Sequence, residues 1–149
     1  MDYVFAEKKI KDMVASKKDF SVLQNVVDFL YDNFDLYDWV GIYILHDDML
    51  VLGSWHGEQA TEHTKIPVGT GVCGSAAMSG NTEIVSDVSI DKRYLSCFVS
   101  TKSEIVVPIK RNGLVIGEID IDSHTKNAFS KRDATFLERI ANILSTFIL

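Results

Sequence analysis

Between Glu104 and Asp122 the chain reads as two apolar, β-branched runs, 104–109 and 114–122, joined through Arg111-Asn112-Gly113. That junction constrains the fold more than any other feature. Asn-Gly accepts the positive φ angles of a two-residue hairpin turn, so the two runs are antiparallel neighbours. A second pair, Asp38–Leu45 and Met49–Gly53, brackets His46-Asp47-Asp48 and reads as another hairpin. Thr82–Val85 reads as a further short strand, and Asp87–Thr101 as a long polar connection. Pro108 requires a position that donates no ladder hydrogen bond. Helical periodicity frames these strands. It is weak over 2–16, and stronger over 20–33, where Leu23, Val26, Val27, Leu30 and Phe34 recur with Asp19 or Ser21 as the cap. Residues 72–80 read as a short helix stopped by Gly80-Asn81. At the C-terminus Ser130 is the expected N-cap, with Asp133 in the capping-box position, ahead of a stripe of Phe136, Leu137, Ile140, Ile143, Leu144 and Phe147. Terminal helices around an antiparallel meander predict an α+β domain with helices on one sheet face and a pocket on the other.

The 149 residues fit one domain, 1–149, and a hydrophobic fraction of 46% supports a core. A net charge of −6 without a basic cluster disfavours nucleic acid or an anionic membrane surface as partner. The N-terminus lacks the order of a signal peptide, and no apolar run approaches the ~20 residues that span a bilayer. A cytoplasmic protein is expected, in which thiols stay reduced. A transient Cys73–Cys97 bond fits that setting better than a permanent one. Two cysteines and four histidines, at 46, 56, 63 and 124, show no metal-ligand spacing, so no metal is expected.

The cysteines sit in different company. Cys73 lies in Gly69-Thr70-Gly71-Val72-Cys73-Gly74, and Cys97 in the polar connection. The glycine turn matches G-x-G-x-x-G, which admits a dinucleotide site. It also fits a plain loop-to-helix turn, or a helix N-terminus that favours the Cys73 thiolate. Alternation places Asp120 and Asp122 on one sheet face, roughly 7 Å apart, with Leu114 and Ile116 beside them and Ile119 and Ile121 opposite. Spacing alone fits a solvated face as well as a buried acid pair, whose mutual repulsion and desolvation would raise at least one pKa. Trp39 and Tyr43 share one strand face, as core packing or as the wall of a small-ligand pocket. His63 reads as a surface or hairpin histidine.

Asp38-Trp39-Val40-Gly41-Ile42-Tyr43, Ile66–Gly74 with its Val-Cys-Gly, Cys97, Ser103-Glu104-Ile105-Val106-Val107-Pro108 and Gly117–Ser123 together closely resemble the free methionine-(R)-sulfoxide reductases, stand-alone GAF-domain enzymes. The resemblance runs in register over nearly the whole chain. It implies a six-stranded antiparallel sheet between helices, a closed pocket, and reduction of free L-methionine-(R)-sulfoxide to methionine. It implies Cys97 as nucleophile, and Glu104, Asp120 and Asp122 as the groups that hydrogen-bond and protonate the substrate. Trp39 and Tyr43 would shape the methyl-sulfoxide end. It further implies a thioredoxin-type dithiol reductant, no bound cofactor, and a homodimer. Cys73 matches one of two further family cysteines, while the third position, ten residues earlier, is His63 here. Recycling is then left to Cys73 or to an outside thiol. The alternative is a non-catalytic GAF module that senses a small molecule, or a redox sensor built on the Cys73–Cys97 pair.

Overall fold

The computed structural model describes residues 1–17, 19–95 and 98–148. Helix α1 (Tyr3–Ser16) starts at Asp2, whose carboxylate accepts the N–H groups of Val4 and Phe5. Helix α2 (Ser21–Asn33) follows Asp19, which accepts the Ser21 N–H at 2.9 Å. Of the two expected caps, Asp19 is the one that receives a helix N–H. The first hairpin is β1 (Trp39–His46) and β2 (Met49–Gly57), and the short edge strand β3 (Lys65–Pro67) pairs with β2. Helix α3 (Gly71–Ser79), strand β4 (Glu83–Val85) and a 3₁₀ turn (Val88–Ile90) precede the second hairpin, β5 (Ser103–Arg111) and β6 (Leu114–Ser123). Helix α4 (Lys131–Ser145) closes the chain. Asn112 and Gly113 both take positive φ, 52° and 79°, as the Asn-Gly turn requires.

The strands form one six-stranded antiparallel sheet in the order β3-β2-β1-β6-β5-β4. The two hairpins join through β1 and β6, far apart in sequence and central in the sheet. Pro108 lies two residues beyond Val106, where pairing with β4 ends, so its missing N–H breaks no bond to that strand.

One sheet face carries Val40, Ile42, Ile105, Val107, Ile109, Ile119 and Ile121, buried against the apolar stripes of α1, α2 and α4. Ser130 caps α4 and forms the expected capping box with Asp133. The choice of Asp over the usual Glu has a tertiary reason. One Asp133 oxygen accepts the Ser130 N–H, while the other accepts the hydroxyls of Tyr3 (3.0 Å) and Tyr37 (2.8 Å). The start of α4 is thereby tied to α1 and to the segment entering β1.

The opposite face is covered by α3, which packs Val72, Cys73, Ala76 and Ala77 over Tyr43, Leu50, Ile66 and Val106. This corrects strict alternation along β6 in one respect. Ile109 pairs with Gly117, but Lys110 pairs with Val115, so Ile116 is an extra residue in a β-bulge. The bulge reverses the facing of everything before it. Ile116 joins the core beneath the terminal helices, Val115 packs on the α3 side, and Leu114 is exposed. Neither Leu114 nor Ile116 accompanies the acids.

Candidate functional site

The face beneath α3 holds a nearly square array built from three adjacent strands. Trp39 on β1 is level with Asp122 on β6 and Glu104 on β5. Gly41, Asp120 and Val106 form the next row, and Tyr43, Glu118 and Pro108 the third. Period-two alternation sends these side chains to one side of the sheet, so three acids of β6 line up and Glu104 joins them across the ladder. The face is not solvated. Glu104 and Asp120 are each 5% exposed, Asp122 3%, and Glu118 not at all. Of the two readings open for Asp120 and Asp122, the buried one holds.

Burial raises the pKa of Asp122, and the neighbouring Asp120 carboxylate raises it further. Asp120 is likewise raised by burial, against an opposing hydrogen bond with Glu104. Glu118 is pushed well above the usual carboxylate range by burial and by Asp120. Such shifts favour the protonated form of these carboxyls, which is the condition for an acid that donates a proton. Oδ1 of Asp120 and of Asp122, and both Glu118 oxygens, have no hydrogen-bond partner among the described residues.

Glu118 is the member missed by reading the strand as two acids. Its signal was available, since it shares the parity of Asp120 and Asp122. A single acid next to Gly117 looks like an ordinary strand residue until α3 is seen to cover it.

Trp39 is 4% exposed, and its Nε1 has no hydrogen-bond partner among the described residues. Its ring lies flat on backbone: a Cβ at Gly41 would come within 2.3 Å of it, as would one at Gly57. Two glycines on neighbouring strands thus set the indole beside the acids. Trp55 (6.3 Å between ring centroids) and Phe98 (6.0 Å) flank it. A cleft of about 30 Å³ bordered by Asp38, Trp39, Gln59, Phe98 and His124 lies at this end of the sheet. A larger groove of about 450 Å³ between α1 and α4 contains none of the candidate residues. Tyr43, 1% exposed, donates its hydroxyl to the backbone carbonyl of His63 at 2.8 Å. The segment before β3 is held against the pocket wall by that bond, through His63's backbone.

The glycine turn proves to be structural. The N–H groups of Gly69, Thr70 and Gly74 are bonded to the carbonyls of Gly74, Pro67 and Thr70, so they are not presented to a phosphate. The strands around it are antiparallel, without the βαβ crossover of a dinucleotide site. The expectation of a helix-stabilised Cys73 thiolate is overturned. Cys73 lies on the buried underside of α3, and burial, then the Asp120, Glu118 and Glu104 carboxylates, push its thiol pKa well up. Burial and three acids outweigh one helix N-terminus. Cys73, Glu104 and Asp120 each place a donor atom within 4.8 Å of the others. A search for Cys and His spacing could not see this set, because its other members are carboxylates on distant strands. Cys97, the expected nucleophile, lies outside the described residues.

The sheet order, terminal helices and buried site beneath α3 define a GAF domain, and the GAF domain family model matches residues 21–148. The chain is 32% identical over 139 residues to the free methionine-R-sulfoxide reductase of Escherichia coli (strain K12), covering 93% of this chain and 83% of that protein. Its fold matches the free methionine-R-sulfoxide reductase of Neisseria meningitidis in complex with its substrate, at TM-score 0.92 and 36% identity over 98% of this chain and 87% of the other. It also matches the type II free methionine-R-sulfoxide reductase of Thermoplasma acidophilum, at TM-score 0.84 and 39% identity over 93% and 94%. The chain therefore belongs to the GAF family and, within it, to the free methionine-R-sulfoxide reductases. Among the described residues no helix is long and apolar enough to cross a membrane.

Proposed function

We propose that this protein reduces free L-methionine-(R)-sulfoxide to L-methionine. The observation that carries the reading is the buried layer of Glu104, Asp120 and Asp122 beside Trp39, whose Nε1 has no hydrogen-bond partner among the described residues. It offers proton donors for a sulfoxide oxygen, carboxylates for an α-ammonium group, and an aromatic wall for a methyl group. The Neisseria meningitidis neighbour, whose structure contains its substrate, supports the same reading.

A sulfoxide sulfur becomes electrophilic when its oxygen takes a proton. The Cys97 thiolate attacks that sulfur while Asp120 or Asp122, hydrogen-bonded in common to Glu104, delivers the proton. The hydroxyl then passes from the substrate sulfur to the Cys97 sulfur as the sulfur–sulfur bond breaks, leaving methionine and Cys97 as a sulfenic acid. Phe98, which follows Cys97 in sequence, packs on Trp39, and this supports Cys97 acting at this layer. The Cys73 thiol condenses with the sulfenic acid, giving a disulfide and water. A dithiol of the thioredoxin type reduces the disulfide and is itself oxidised. A cytoplasmic homodimer that draws on such a reductant, with no bound cofactor, completes the proposal.

The reading is tested by coupling turnover to thioredoxin, thioredoxin reductase and NADPH. Activity is expected on the free R epimer and not on the S epimer or a peptide-bound sulfoxide. Tight binding of a small metabolite without turnover would establish a GAF sensor instead. Cys73→Ser is expected to retain one turnover per protein and to lose thioredoxin-linked recycling. Unchanged recycling would exclude Cys73 as the resolving thiol and point to direct reduction of the sulfenic acid.

A further inference from the structure

Glu118 has no task in that reaction, and its environment is unfavourable to a charged carboxylate. It is fully buried, and neither oxygen has a well-formed hydrogen bond among the described residues, although the Cys73 thiol lies near enough to oppose the rise of its pKa. It stands next to Asp120 on the same face of β6, and its charge bears on the Cys73 thiol. Immediately beside it, Cys73, Glu104 and Asp120 bring one sulfur and two carboxylate oxygens to within 4.8 Å of one another, all three residues being buried. A buried carboxylate with no partner either keeps its proton or faces a cation.

We propose that Cys73, Glu104, Asp120 and Glu118 form a binding site for a single zinc ion. The donor set selects the metal. One thiolate with three carboxylates suits a borderline-soft ion that accepts four ligands, whereas magnesium and calcium require six or more oxygens. Zinc–sulfur and zinc–oxygen bonds of about 2.3 and 2.1 Å imply donor separations of roughly 3.3–3.8 Å in a tetrahedron. The three donor atoms, already within 4.8 Å, need to draw in by at most about 1–1.5 Å. Rotation of the carboxylates on rigid strands supplies that movement, and Glu118, which lies beside the Cys73 thiol but outside that 4.8 Å set, swings in to close the fourth position. The Cys73 thiol, and any of the three carboxyls that holds a proton, releases it to solvent as its bond to zinc forms. An ion held there takes Glu104 and Asp120 away from a sulfoxide, so zinc and substrate exclude each other. That consequence, unlike the site itself, rests on the reductase reading.

Cobalt(II) reports directly on a thiolate ligand through charge-transfer absorption in the near ultraviolet. The full chain, reduced and stripped with EDTA, is titrated with Co²⁺ and then with Zn²⁺. One equivalent of Co²⁺ is expected to produce the band and Zn²⁺ to abolish it. The band is expected to persist in Cys97→Ser and to vanish in Cys73→Ser, with Cys73→Ala used if the serine variant fails to fold by circular dichroism. Glu118→Gln is expected to raise the Zn²⁺ dissociation constant by about tenfold or more, as loss of a ligand must exceed a second-shell change. No stoichiometric band, a band independent of Cys73, or unchanged affinity in Glu118→Gln overturns the zinc site. Free methionine-(R)-sulfoxide is added in a separate arm. If it fails to compete with bound Zn²⁺ while the band behaves as expected, the substrate assignment of the pocket is at fault and the zinc site stands.

Discussion

Cys97→Ser is expected to abolish reduction of free methionine-(R)-sulfoxide, with dithiothreitol as well as with thioredoxin. The chemistry demands a nucleophile that attacks sulfur and then carries the oxygen away as a sulfenic acid. A serine hydroxyl is not ionised at neutral pH and has no equivalent oxidised state, so the first half-reaction stops. A strong chemical reductant bypasses only the recycling half, which is why it cannot rescue this variant while it does rescue Cys73→Ser. The check is methionine released per protein molecule under dithiothreitol, with substrate binding by calorimetry and a thermal melt alongside. Binding and melting are expected to stay near the parent values. Methionine formation at a parental rate would remove Cys97 from the nucleophile role.

Asp120→Asn and Asp122→Asn are each expected to lower kcat by about 10²–10⁴-fold, the range typical of a lost general acid. Asparagine keeps the shape and most of the hydrogen bonding but cannot deliver a proton to the sulfoxide oxygen. Stability should move the other way. The folded-state pKa values of both aspartates are raised, by burial in each case. A raised carboxylate pKa gives a contribution to stability that is complete below the unfolded value near 3.9 and is lost as pH rises through the folded value. The asparagine variants carry no such penalty, so their melting temperatures should gain on the parent as pH rises from acid to neutral. Paired kinetics and melts across that interval decide the matter. A variant that loses activity only in proportion to lost folded protein would assign these residues to the scaffold.

The hairpins, their turns and the terminal helices were legible because their causes are local. Asn112-Gly113 needs only its own φ angles, and Ser130 with Asp133 needs only the next turn of backbone. The pairing of Asp120 with Asp122 on one face followed from the same short-range alternation. The facing of Leu114 and Ile116 did not, since a bulge at Ile116 depends on how β5 pairs with β6. Cys73 shows the same limit more sharply. Its glycine turn suggests an activated thiol, yet the acids that raise its pKa come from strands 31 or more residues further along the chain. The cradle of Gly41 and Gly57 beneath Trp39 was hidden for a similar reason, because the two glycines meet only across β1 and β2.

What this sequence determines by itself is an antiparallel α+β domain with acids of common parity on one strand, and a family resemblance carried by its motifs. Both are properties of neighbours along the chain: the pitch of a helix, the pleat of a strand, the conformation of a turn. Only the tertiary structure decides that α3 covers the acid face, that Glu118 belongs to it, and that the Cys73 thiol is buried among three carboxylates. The physical reason is desolvation. Whether a strand's polar face meets water or protein is set by the element packed upon it, and periodicity within the strand carries no record of that element.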